Sequence, residues 1–156
     1  MLQQVLSESK QSLRDEDLPI LAIDYGDRRI GIAVSDLRGS IASPITTIKW
    51  TKGKKLETVL DEILAIADEY QTRSFLLGVP YAFEEQHNEI QVRIAKFSEK
   101  LSLVSKKKIY YHTESYSSKE ASSLLDEAGM TEGKGRVDKI SAALFLQEFI
   151  DGKHRK

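Results

Sequence analysis

A mixed α/β fold, with a five-stranded sheet and helices on both of its faces, follows from three observations on this 156-residue chain. Short apolar runs rich in Ile, Val and Leu stand at residues 20–25, 29–36, 41–50, 74–80 and 108–114. The first three follow one another too closely to admit a helical crossover, so they form an antiparallel meander. The last two are separated by segments of helical periodicity, which calls for βα units and parallel pairing.

"ILAIDY" and "RIGIAVSD" are compact and alternate branched with small residues, as strands buried in a sheet do. "IASPITTIKW" carries Pro44, which lacks a backbone donor and confines its strand to an edge or an irregular end. From Lys54 to Tyr70, Leu56, Val59, Leu60, Ile63, Leu64 and Ala67 recur at helical spacing. "SFLLGVP" is the fourth strand, ended by Gly78 and Pro80. The polar stretch "YAFEEQHNE" then leads into a helix carrying Ile90, Ile94, Phe97, Leu101 and Val104. "KIYYHTE" is the fifth strand. Ser117 and Glu120 stand at capping-box spacing and open a helix that Gly129 closes. "TEGKG" reads as a flexible connector, and "RVDKISAALFLQEFI" as a last helix, apolar on most faces, with Asp138 in its first turn. This element order is that of the RNase H-like architecture.

Composition narrows the function classes. The chain has no cysteine, which excludes disulfides and thiolate metal sites and fits a cytoplasmic protein. It holds no run of 18 apolar residues, so no membrane partner is expected. Residues 1–18 are expected to be a polar N-terminal arm without signal-peptide character, and residues 19–156 a single domain. The net charge of −1 gives no global positive field, so nucleic-acid affinity has to come from a local groove. Lysines cluster at 52, 54 and 55, at 106–108, and with Arg155 in the tail. Clusters of this kind usually form solvated turns and chain ends.

Three acids terminate elements: Asp24 the first strand, Glu114 the fifth, and Asp138 the start of the last helix. The first and fifth strands can both flank the fourth, which brings their ends to one rim, and a helix packed across them brings its own start there. Carboxylates gathered in that way repel one another unless a divalent cation neutralises them. A hard ion such as Mg²⁺ suits oxygen ligands, and one or two such ions can activate water against a phosphodiester. On position alone each acid also has a plain structural reading: a turn Asp, a solvated Glu, and an Asp favoured by the helix dipole.

"DYGDRRIGIAVSD" resembles the opening motif of the YqgF family of RNase H-like pre-16S rRNA nucleases and Holliday-junction-resolvase homologues. The similarity continues in "LLGVPYAFEEQHNEIQVRIAKF", "YHTESYSSKEA" and "GRVDKISAALFLQEFI", four motifs in order over residues 20–151. The resemblance implies a nuclease whose metal-binding and catalytic carboxylates are Asp24, Glu114 and Asp138, with Mg²⁺ or Mn²⁺ as cofactor. It implies structured RNA, the 5′ precursor of small-subunit rRNA, as substrate, with ribosomal or self-association partners. Branched DNA is the alternative substrate, and a non-catalytic nucleic-acid-binding module the alternative function. Arg28, Arg29 and Lys139 are candidate phosphate contacts, and Tyr81 and Phe83 candidate base-stacking residues. The chain departs from the family pattern at Thr113 and Ser115, where an acid and a cation are usual, and at residues 81–85. Glu84 there stands where the family has Asp. His112 is expected to be structural, and Gly26 to serve a tight turn. An ATPase reading is set aside, because one lobe cannot close on ATP and no Gly-rich lysine loop is present.

Overall fold

The order of hydrophobic runs becomes a sheet with strand order β3-β2-β1-β4-β5. A computed structural model of the protein describes residues 13–26, 28–80, 89–114 and 134–154. The strands are β1 (Ile20–Asp24), β2 (Arg29–Ser35), β3 (Ala42–Lys49), β4 (Ser74–Pro80) and β5 (Lys108–Glu114). The helices are α1 (Leu56–Glu69), α2 (Glu89–Ser105) and α3 (Lys134–His154). The expected helix over 117–129 lies outside the described residues. So do Tyr81, Phe83, Glu84, Glu85 and His87, and residues 1–12 of the expected arm.

β1, β2 and β3 form the expected antiparallel meander, and β4 pairs parallel with both β1 and β5. β3 is an edge strand, as Pro44 requires. Its register against β2 shifts between Ile32 and Ala33, whose partners are Thr46 and Pro44. Ile45 is thus the extra residue of a bulge, which absorbs the missing proline donor.

Strand alternation splits the core in two. Leu21, Ile23, Ile30, Ile32, Phe75, Leu77 and Val79 face α1 and α2, whose Val59, Leu60, Ile63, Ile94, Phe97 and Leu101 cover them. Ile20, Ala22, Ala33, Leu76 and Tyr110 face the other way, under Ala142, Phe145, Leu146 and Ile150 of α3. The helical stripes of the sequence are the buried stripes, except at the end of α2, where Val104 is 51% exposed.

The segment before Pro19 is less purely polar in its role than in its composition. Leu13 and Leu18 are buried in the α3-side core. Ser74 Oγ donates to Asp17 O at 2.7 Å, and the Tyr110 hydroxyl donates to the Asp17 carboxylate. Burial first, and then that carboxylate, push the Tyr110 hydroxyl well above its ordinary pKa. Leu13 and Leu18, set five residues apart with charges between them, form too sparse a pattern to show this docking in advance.

Candidate active site

The C-terminal ends of the parallel strands β1, β4 and β5 lie along one rim. Asp24 pairs with Gly78 of β4 on one side and with Gly31 of β2 on the other. It follows Ile20 and Ala22 on the α3 face, by the same alternation that sorts the core. Glu114 ends β5 in register with Pro80, at the position that shares the parity of Tyr110 and His112. Relative to Asp24 it stands two strands away, about 10 Å across the sheet, and two residues further along, about 7 Å.

Asp138 reaches the same rim through α3. A Cβ placed on Gly31 would stand 2.1 Å from the Asp138 carbonyl oxygen and 2.8 Å from the Lys139 nitrogen. Only a residue without a side chain lets the helix backbone come this close to the strand. Gly31 is the partner of Asp24, so the contact sets the main chain of Asp138 against the rung that carries Asp24. Gly26 serves the hairpin before it: a Cβ there would meet the Arg29 carbonyl oxygen at 2.5 Å.

Asp138 does not lie in the first turn of its helix. α3 begins at Lys134, so Asp138 is its fifth residue, and the first turn holds no acid. Gly135, at about 1 kcal/mol worse than alanine in a helix, suggested a connector, but packing on Gly31 carries the helix past it. The dipole reading of Asp138 weakens accordingly, because that effect fades beyond the first turn.

Asp138 instead has a specific partner. Arg29 Nε donates to Asp138 Oδ2 at 2.9 Å, with the two side chains 33% and 27% exposed. Arg29 thus restrains a candidate ligand, and its guanidinium brings positive charge to the rim. Arg28 is exposed on the β1–β2 hairpin, and Lys139 is half-buried on α3. The structure therefore sets the main chain of Asp138 and Lys139 against the rung that carries Asp24, and pairs Asp138 with Arg29, with Arg28 on the adjoining turn. Tyr81 and the side chain of Glu114 lie outside what is described. Among the described residues no three His, Cys, Asp or Glu side chains are grouped closely enough to hold a metal.

The other candidates are structural. His112 Nε2 lies 3.1 Å from Glu148 Oε2, and its ring stacks on Phe145 at 6.0 Å. Lys107 Nζ donates to the Thr72 carbonyl at 2.8 Å, and Lys108 lies over the Tyr110 ring at 4.6 Å. Lys54 donates to the Lys49 carbonyl at 2.7 Å and to Glu62 at 2.8 Å. The lysine clusters are thus partly consumed inside the fold. Sequence reasoning missed Gly31, although a glycine in mid-strand is a known mark of close backbone approach. It also passed over Trp50 and Tyr25, aromatic residues at strand ends beside the rim.

The model of a family described as "RuvX: Holliday junction resolvase" matches residues 19–152. The chain belongs to this family. Its relatives include a "Putative pre-16S rRNA nuclease" of Amoebophilus asiaticus, 32% identical over 141 residues, covering 87% of this chain and 96% of the relative. A protein of the same description from Thermoanaerobacter pseudethanolicus is 31% identical over 140 residues, covering 88% and 99%. Among solved structures, Thermus thermophilus RuvC in complex with a Holliday junction substrate matches with a TM-score of 0.57 and 12% identity, covering 88% of this chain and 96% of that one. The yeast mitochondrial Holliday junction resolvase Ydc2 matches at 0.55 and 11%, covering 99% and 87%. At such identities these two likenesses concern the fold, and they agree with the RNase H-like architecture expected from element order.

Proposed function

We propose that this member of the RuvX family is a nuclease that hydrolyses phosphodiester bonds at the rim formed by Asp24, Asp138 and the end of β5. The observation that carries the reading is the Gly31 contact, which sets the backbone of Asp138 against the Asp24 rung. Curated relatives described as pre-16S rRNA nucleases, matched over most of both chains, support the 5′ precursor of small-subunit rRNA as substrate and the cytoplasm as its place of action. The family description supports branched DNA as the second reading.

The donors at the rim are carboxylate oxygens, and no cysteine is available, a set that fits a hard divalent cation such as Mg²⁺ or Mn²⁺. Asp24 and Asp138 would hold it, with Glu114 as the third ligand. When bound, the cation supplies Lewis-acid polarisation of the phosphodiester and an acidified water. Arg29 keeps the Asp138 carboxylate oriented through Oδ2, and Arg28 and Lys139 would contact phosphate oxygens electrostatically. Self-association and ribosomal contacts belong to the same reading.

The test is cleavage of a 5′-extended small-subunit rRNA fragment and of a four-way DNA junction, each with Mn²⁺, by the wild-type chain and by Asp24→Asn. Loss of at least about 10²-fold in Asp24→Asn is expected, the scale of removing one electrostatic group from a catalytic site. Equal cleavage by the purified variant would place the chemistry elsewhere. Binding without cleavage of either substrate by the wild type would establish the binding-module alternative instead.

A further inference from the structure

On the opposite side of the sheet end from α3, a cavity of about 320 Å³ is lined by Tyr25, Trp50, Leu56, Arg93, Lys96 and Phe97. It adjoins the rim directly: Tyr25 follows Asp24 in the chain, and Trp50 follows Lys49, the partner of Arg29. Three of its six lining residues are aromatic. Tyr25 meets Phe97 at 5.1 Å and 60°, and Trp50 at 6.1 Å and 86°, edge-on in both cases. Phe97 is almost fully buried and closes the floor.

Trp50 is held on both sides of its Cα. Its backbone nitrogen donates to the Arg28 carbonyl at 2.7 Å, and its indole Nε1 donates to the Lys54 carbonyl at 2.9 Å. With its N–H satisfied inside the protein, the indole has only aromatic surface to offer a ligand. Two cations stand at the mouth. Arg93 and Lys96 lie one helical turn apart on α2 and are exposed, while exposed Lys55 and Glu57 flank Leu56 with opposite charges. Arg93 also meets Glu89 at 3.4 Å in a solvent-exposed pair, a kind of contact that contributes little in water.

An aromatic cavity rimmed by cations suits a flat aromatic ligand that carries negative charge. Base stacking on aromatic side chains with backbone phosphates on Lys and Arg is how proteins hold single strands. The volume lies at the small end of ligand pockets, which run from about 300 Å³ upward. It admits one base with its sugar and excludes a helix or a duplex. We infer that this cavity binds one unpaired nucleobase of a nucleic-acid strand, with Arg93 and Lys96 holding the adjoining phosphates. The inference deepens the nuclease reading: a strand anchored here passes over the sheet end to Asp24, which makes the site selective for single-stranded nucleic acid beside the cut.

Trp50 is the chain's one tryptophan, so its emission reports occupancy directly. The full chain is titrated in EDTA with a single-stranded pentanucleotide, as RNA and as DNA, with the same strand made abasic, and with the matching duplex. Saturable quenching by the single strands of either sugar, absent with the abasic strand and the duplex, is expected. The apparent affinity should fall about tenfold or more in R93E/K96E, with an unchanged far-ultraviolet spectrum as the check that these two exposed positions leave the fold intact. Quenching as strong with the abasic strand, or indifferent to the double charge reversal, would overturn the inference. So would an emission shift that grows with protein concentration alone, since a second copy would then fill the cavity. No metal is present and no bond is cut, so this result stands or falls apart from the nuclease assay.

Discussion

Replacing Gly31 with alanine drives a methyl group into the main chain of α3. The new Cβ would stand 2.1 Å from the Asp138 oxygen, 2.3 Å from its carbonyl carbon and 2.8 Å from the Lys139 nitrogen. Contacts below 3.0 Å do not persist, and the obstacle is helix backbone, so no rotamer change relieves it. The start of α3 must retreat by about 1 Å. Overpacking of this kind costs about 1–3 kcal/mol. For a chain of this length that lowers Tm by roughly 2–4 °C per kcal/mol. The same shift moves Asp138 away from the Asp24 rung, and a displacement of about 1 Å at a reacting centre costs about 10²-fold in rate. Urea unfolding and rRNA-precursor cleavage read the two effects. Gly152→Ala is the control: it lies in the same helix with nothing within 4 Å of a new Cβ, and should stabilise by about 0.5–1 kcal/mol. A Gly31→Ala chain as stable and as active as the wild type would refute the close approach and the geometry built on it.

Three further outcomes are expected. Arg29→Ala should cost about 1 kcal/mol and loosen Asp138; in a double-mutant cycle with Asp138→Asn, a coupling energy of zero would show that the 2.9 Å pair does not act in solution. Ser35→Ala should destabilise by about 1–3 kcal/mol, because the buried Ser35 Oγ accepts from Ile20 N at 2.9 Å and its loss orphans that donor; an unchanged urea midpoint would contradict this. The Ile41 N–H, joined by that of Ser40, holds the Asp36 carboxyl below its ordinary 3.8. A depressed folded-state pKa contributes stability that is complete above the unfolded value and lost as pH falls through the folded one. Urea midpoints should therefore decline with acidification below about pH 4, less steeply in Asp36→Asn, and equal slopes would remove Asp36 from the account.

Most of the fold was legible in local pattern. The spacing of Val59, Leu60, Ile63 and Ala67 marks the buried face of α1, and the proximity of the first three apolar runs dictates their antiparallel pairing. Pro44 limited its strand to an edge or an irregular end, because a residue without an N–H cannot serve a central strand, and β3 lies at the edge. The start of α3 was misplaced, since the propensity of Gly135 opposes a helix that packing on Gly31 imposes. Val104 continues the apolar stripe of α2 in sequence yet faces solvent. Periodicity records which face a residue takes, not how far the neighbouring element extends to cover it.

The candidate site divides in the same way. Sequence alone determined that Asp24 and Glu114 end strands, though not how far into its helix Asp138 stands, and its four ordered motifs named the family to which the matched residues 19–152 belong. Tertiary structure decided that Arg29 pairs with Asp138, that Lys54 and Lys107 are spent inside the fold while exposed Lys108 lies over the Tyr110 ring, and that Tyr25, Trp50 and Phe97 enclose a cavity. Motifs and strand ends are local in the chain and can be read from it. The Arg29–Asp138 pair joins residues 109 positions apart, and the cavity draws on the residues that follow β1 and β3 and on α1 and α2. Their partners are chosen by three-dimensional packing, which no spacing along the chain encodes.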